Sequence, residues 1–162
     1  QHSWRVDAFG SPGKGPVGVL GPGGFEQYRE LGTQTRRFSP EGPPQATVDI
    51  VQTGLGVSAA PLERSAAASD GIVLVGTGLG NVPEPMADAV GTITQEGVPV
   101  VVVSRCHAGG VAPVYGRGGG QTLQANGAYL AGDLPAQKAR TKLAVALSVG
   151  ADGVERAFGS ER

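Results

Sequence analysis

Between residues 46 and 149 the sequence alternates four times between a short β-branched apolar run and a helical stretch. This rhythm constrains the fold more than any other feature. Ala46–Gln52 reads as a buried strand and Ser58–Ser69 as an Ala-rich helix. Ile72–Val75 is a second strand, and Glu84–Gln95 is a helix with Met86, Ala89, Val90 and Ile93 at i, i+3, i+4 and i+7. Val98–Ser104 is a third strand, apolar on both faces as a central parallel strand requires. A short helical stretch near Thr122–Asn126 and a brief strand at Ala128–Ala131 follow. A helix from about Leu134 to Val149 closes the series, with Ala139, Leu143, Ala146 and Leu147 as its apolar stripe. Asp133 stands where its N-cap belongs, Pro135 falls in its first turn, and Gly150 marks its end. Such alternation predicts an α/β fold: a parallel sheet of about four strands with helices on both faces.

Ahead of this domain (residues 45–150) lies a lead-in, residues 1–44. Val17–Leu20 and Phe25–Glu30 are strand-like and separated by Gly21-Pro-Gly-Gly24, which predicts a β-hairpin. Ser39-Pro-Glu-Gly-Pro-Pro44 reads as an extended linker. Residues 151–162 form a tail. The 28 Gly and 12 Pro cluster in the first 56 residues and again between 109 and 120, where they mark turns and loops. The chain of 162 residues is 40% hydrophobic, enough for one domain with a real core. It opens on Gln1 with no initiating Met, which predicts a trimmed or processed piece of a longer product.

Several functions are disfavoured. A net charge of −1 and no basic stripe argue against nucleic acid as partner. No apolar run approaches the roughly 20 residues that span a bilayer, so no membrane partner is expected. The single Cys106 excludes an internal disulfide, and two histidines, His2 and His107, give no metal-site spacing. No metal and no cofactor is expected. The compartment stays unassigned, with the cytoplasm favoured over the periplasm or secretion.

In parallel sheets ligands gather at the carboxyl ends of the strands, which draws attention to loops 53–57, 76–83 and 104–120. The second contains VGTGLGNVPEP (75–85). A dinucleotide fingerprint would need G-x-G-x-x-G, but the third glycine arrives one residue early at Gly80, and Asn81 holds its place. Two other readings stay open. The loop turns its N–H groups to an anion at the helix start, with Asn81 adding an amide. Or the glycines serve tight packing, with Asn81 as a helix cap or turn residue. Cys106-His107 resembles a thiolate–imidazole pair, yet neighbours on an extended chain point to opposite faces. GGVAPVYGRGGG (109–120) is either a lid carrying Tyr115 and Arg117 or a plain surface loop. Lys138, Arg140 and Lys142 read as a solvated helix face.

Four stretches, taken together and in order, resemble bacterial-type L-asparaginases, specifically their C-terminal half. They are Asp7-Ala-Phe-Gly-Ser-Pro-Gly-Lys-Gly-Pro-Val-Gly18, Gly71-Ile-Val-Leu-Val-Gly-Thr-Gly-Leu-Gly-Asn81, Pro99–Cys106 (PVVVVSRC) and Gly132-Asp-Leu-Pro-Ala-Gln-Lys-Ala-Arg140. The last resembles the family's G-x-L-x-x-x-K-A-R helix start. The resemblance runs from about residue 5 to 149 and implies the Rossmann/flavodoxin-like C-terminal domain of that family. It also implies an amidohydrolase that splits L-asparagine into L-aspartate and ammonia, built as a dimer or tetramer.

The family's nucleophilic threonines sit on T-G-G-T and H-G-T-D motifs in an N-terminal domain, and neither motif occurs here. No residue of this chain is therefore expected to be catalytic, Thr77 included. The residue that follows the family's C-domain glycine loop touches the bound amino acid, and Asn81 falls on that position; Gly78 and Gly80 shape the loop that carries it. A glutamate found in some relatives would fall in the Gly118–Gly120 run, where this chain has no acid.

The expected function is thus the C-terminal portion of an L-asparaginase, supplying substrate contacts and subunit assembly and inactive without the N-terminal domain. Its expected partners are L-asparagine or L-aspartate, that domain, and further copies of itself. The alternative is a stand-alone, non-enzymatic module that binds a small amino acid or serves assembly. A hydrolase built on Cys106 is a third reading.

Overall fold

Unbroken β-branched runs such as Val100–Val103 cannot turn one side to water, so they pair into a sheet covered on both faces. The computed structural model describes residues 3–7, 10–11, 14–30, 37–150 and 152–159. Gln1, His2 and parts of the Asp7–Gly18 motif lie outside the described residues. The chain forms two units, residues 1–36 and 37–162.

In the first unit, β1 (Gly18–Gly21) and β2 (Gly24–Gln27) form the antiparallel hairpin expected from the sequence. Gly21 pairs with Gly24, leaving Pro22 and Gly23 at the tip. Gly18 must be a glycine, because a Cβ there would lie 2.6 Å from the Phe25 ring. The pairing ends at Gln27, short of the expected Glu30, where the N–H groups of Tyr28 and Arg29 both donate to the Val17 carbonyl.

The second unit runs β3 (Val48–Gln52), α1 (Ala60–Ala66), β4 (Gly71–Gly76), α2 (Glu84–Gln95), β5 (Val100–Ser104), α3 (Gly120–Ala125), β6 (Tyr129–Leu130), α4 (Ala136–Leu147) and α5 (Gly153–Phe158). The four strands are parallel and lie in chain order, β3-β4-β5-β6. Right-handed crossovers between successive neighbours carry their helices to one side. Accordingly Leu62 of α1, Met86, Val90 and Ile93 of α2 and Leu123 of α3 share one core with Val51, Ile72, Leu74, Val100 and Val102. The other face carries Val73, Val75, Val101 and Val103, and it is covered by α4 and α5 through Ala139, Leu143, Ala146, Val154 and Phe158.

Helix boundaries differ from expectation where local geometry intervenes. The N-cap of α4 is Pro135, not Asp133, because residues 131–134 already form a turn, with Leu134 N–H donating to the Ala131 carbonyl, and extended ψ at Pro135 delays the helix to Ala136. Its C-cap is Ser148, two residues before Gly150, which with φ 108° redirects the chain toward α5. Nor is the basic side of α4 simply solvated. Arg140 Nε donates to the Val48 carbonyl at 2.7 Å, tying the helix to β3, and the Lys142 ammonium lies 4.5 Å from the centre of the Phe158 ring. The segment after Gly150 carries α5, whose Phe158 also meets Tyr129 at 6.4 Å between ring centres.

Candidate functional site

The strand order never reverses, so no crevice opens between diverging strands. A pocket of about 520 Å³ forms instead from the loops that leave β3, β4 and β5 at their carboxyl ends. Thr53, Gly54, Leu55 and Gly56 come from the first loop, Thr77, Asn81, Val82 and Pro83 from the second, and Arg105 from the third. Its size suits a small molecule.

The glycine loop is closed at its base. Thr77 and Asn81 exchange backbone hydrogen bonds at 2.9 and 2.8 Å, and the Thr77 hydroxyl donates to the Asn81 carbonyl at 3.1 Å. The glycines serve this closure. A Cβ on Gly76 would lie 2.6 Å from the carbonyl carbon of Gly80, and one on Gly80 would lie 2.8 Å from Val111 Cγ1. Gly80 also holds φ 99° and Gly78 φ 52°, conformations that suit glycine. The tight-packing reading of these glycines therefore holds, but Asn81 is no helix cap. The N-cap of α2 is Pro83, with no side chain bonding the helix start.

The Asn81 side chain therefore makes no cap bond to α2. Its Oδ1 is buried with no hydrogen-bond partner among the described residues. Across the pocket Thr53, 2% exposed, has an Oγ1 in the same state, while its N–H extends the sheet to the Val75 carbonyl at 3.0 Å. Leaving a buried polar group unpaired costs about 1–3 kcal/mol. Sequence reasoning does not single out Thr53. The available signal is its place at the carboxyl end of β3, on the same face as the core residue Val51.

Ser104 is a second residue that sequence reasoning misses. Its hydroxyl donates to the Gly78 carbonyl at 2.5 Å and accepts the Cys106 N–H at 3.1 Å, which clamps the glycine loop to the end of β5. Arg105 N–H continues the ladder to the Gly76 carbonyl at 2.9 Å, leaving its side chain exposed toward the pocket. Cys106 is a free, exposed thiol, and neither it nor His107 lines the pocket.

The 109–120 segment packs against the site. Val111 N–H bonds the Gly132 carbonyl, Ala112 N–H the Leu79 carbonyl, and Val82 N–H the Gly118 carbonyl. Gly118, Gly119 and Gly120 are buried, and a Cβ on any of them would strike a backbone carbonyl oxygen, of Val82, Tyr115 or Ala112 respectively. With this backbone, none of the three positions admits a side chain, acidic or otherwise. Among the described residues no cluster of His, Cys, Asp and Glu is placed to hold a metal, and no helix is long and apolar enough to cross a membrane.

Residues 47–157 match the family described as the glutaminase/asparaginase C-terminal domain. The chain belongs to that family. It is 34% identical over 168 aligned positions to a probable L-asparaginase of Deinococcus radiodurans, covering 97% of this chain and 49% of that protein. It is 31% identical over 173 positions to a glutamyl-tRNA(Gln) amidotransferase component of Halobacterium salinarum, covering 97% and 39%. Among solved structures, a probable cytoplasmic L-asparaginase from Campylobacter jejuni superposes with a TM-score of 0.79 at 30% identity, over 96% of this chain and 48% of that one. The thermostable L-asparaginase from Thermococcus kodakarensis shares the fold at a TM-score of 0.70 and 24% identity, over 87% and 43%. The chain spans about half the length, or less, of the relatives it matches. This asparaginase-family domain therefore carries its pocket at the strand ends, where the α/β fold gathers ligands.

Proposed function

We propose that this chain is the C-terminal portion of an L-asparaginase-type amidohydrolase, whose reaction takes L-asparagine and water to L-aspartate and ammonia. Its part is to offer Asn81, presented by the loop of Gly78 and Gly80, to the small amino acid held at the site. The observation that carries this reading is an asparagine with a buried, unpaired amide oxygen, on a hydrogen-bonded turn that lines a pocket of an asparaginase-family domain. The catalytic nucleophile comes from a separate domain. A hydroxyl nucleophile needs a neighbouring base, and none of the nine pocket-lining residues carries a carboxylate, imidazole or amine. Leu55, fully exposed at the pocket, gives the site an apolar edge for a second body to cover, in keeping with a homo-oligomer.

Ammonia release from L-asparagine by the folded chain alone, at high protein concentration, tests this. No release is expected. Hydrolysis by the pure chain at the rate of an intact asparaginase would refute the claim that the site is incomplete. The stand-alone binding module draws on one observation, that residues 37–162 close cores on both faces of their own sheet. Micromolar binding of L-aspartate to the isolated chain in a calorimetric titration would favour it.

A further inference from the structure

Nothing in the packing calls for the Thr53 hydroxyl. The backbone of Thr53 is fixed by its bond to Val75, which a valine of the same shape would also make. Val51, two residues earlier on the same face, is such a residue, and it is buried in the core. A valine at position 53 would fill the same space without leaving a buried oxygen unsatisfied, so the hydroxyl costs the free fold stability. Three buried side-chain oxygens lack a partner among the described residues, those of Thr53, Ser69 and Asn81, and of these residues Thr53 and Asn81 line one pocket together with Arg105.

We propose that Thr53 is a second ligand-binding residue of this pocket, pairing with Asn81 to receive an N–H-bearing group of a small amino acid whose carboxylate lies toward Arg105. The inference rests on the proposed role of Asn81 in taking that ligand to be an amino acid. Thr53 Oγ1 and Asn81 Oδ1 both accept hydrogen bonds, which suits an ammonium or a primary amide, and a guanidinium suits a carboxylate. An amino acid brings both groups.

The test uses the full chain, with L-aspartate as the probe at millimolar concentration and amide resonances as the readout. Resonances of Thr53 and Asn81 are expected to shift on titration. Thr53→Val is expected to weaken binding about five- to tenfold, the loss of one hydrogen bond, and Thr53→Ser to restore it. Without ligand, Thr53→Val is expected to raise the thermal midpoint by about 2–4 °C. Unchanged affinity in Thr53→Val overturns the proposal, as does the absence of any shift at Thr53 in the unmodified chain. A midpoint that falls in Thr53→Val and recovers in Thr53→Ser also overturns it, since the hydroxyl then serves the fold. Asn81→Ala separates the two readings. If it leaves affinity intact while Thr53→Val weakens it, Thr53 stands and the role of Asn81 falls; the reverse result does the opposite.

Discussion

The glycines around Asn81 make a quantitative prediction, because the structure separates backbone strain from steric clash. Gly97, just past α2, has φ 92° and open space where a Cβ would go, so Gly97→Ala meets strain alone, about 1–2 kcal/mol. Gly76 has no positive φ, but its Cβ would lie 2.6 Å from the Gly80 carbonyl carbon, a backbone atom that no rotamer change moves aside. Gly76→Ala meets the clash alone, at about 1–3 kcal/mol or more. Gly80 combines φ 99° with a Cβ 2.8 Å from Val111 Cγ1 and 3.2 Å from Val102 Cγ1, so Gly80→Ala is expected to cost about 2–5 kcal/mol. Urea denaturation followed by circular dichroism, with the slope checked for constancy, reads these differences. The expected result is Gly80→Ala well below Gly97→Ala in stability. A Gly80→Ala variant within about 0.5 kcal/mol of Gly97→Ala, the usual margin of additivity, would refute the account of Gly80 as packed directly against Val102 and Val111.

Three further outcomes follow from the same structure. Phe158 is nearly buried between Tyr129 and Lys142, so Phe158→Ala is expected to cost about 3 kcal/mol in the same assay, the low end for a core phenylalanine since its helix is short; a loss under about 1 kcal/mol would show that α5 is not part of the core. Burial, then the hydrogen bond to Glu155 and the charge of that carboxylate, raise the Tyr129 pKa above the ordinary 10.0. The fold thus favours the neutral phenol: this contribution is complete below the unfolded value and is lost as pH rises through the raised folded one, and Tyr129→Phe is expected to flatten stability against pH over that alkaline window. Thr77→Val removes the hydroxyl bond to the Asn81 carbonyl and is expected to cost about 1 kcal/mol; a chain that released ammonia only while Thr77 was present would show instead that this threonine is a nucleophile.

Much of the scaffold is legible in the sequence because its signals are local. The amphipathic spacing of Met86, Ala89, Val90 and Ile93 places α2 at Glu84–Gln95, where the structure has it. The hairpin follows from Gly21-Pro-Gly-Gly24. Errors arise where one local cue has several solutions. The alanines of 58–69 extend a helical reading in both directions, yet α1 begins at Ala60, with Pro61 in its first turn, and stops at Ala66. Val154, Ala157 and Phe158 have helical spacing, but over six residues that pattern is too short to stand out. The glycines of 109–120 suggest flexibility, whereas Gly118–Gly120 are there for close approach to carbonyl oxygens. Asn81 is visible because its loop is conspicuous. Thr53 is not, since a hydroxyl at a strand end means little until the β3–β4 register brings it to the same pocket as Asn81.

The chemistry of that pocket sets what the domain can do under the proposed function. Splitting an amide requires a nucleophile relieved of its proton and a proton delivered to departing ammonia. The pocket offers two hydroxyls, one amide and one guanidinium. Of the hydroxyls, Thr77 already gives its hydrogen to a backbone carbonyl, and Thr53 has no base beside it among the nine lining residues. A guanidinium presents N–H donors and no acceptor, so Arg105 does not stand in for a base. Under the proposed function these groups hold and orient a zwitterion, and the nucleophile and base come from elsewhere. Binding chemistry without transfer chemistry, at an open edge that ends in the exposed Leu55, is what one half of a divided site would need. The rigidity of the glycine loop then has a purpose. If the proposed role of Asn81 holds, an amide on a turn with reciprocal backbone bonds, clamped by Ser104, would reach its ligand already oriented, with little ordering left for the moment of binding.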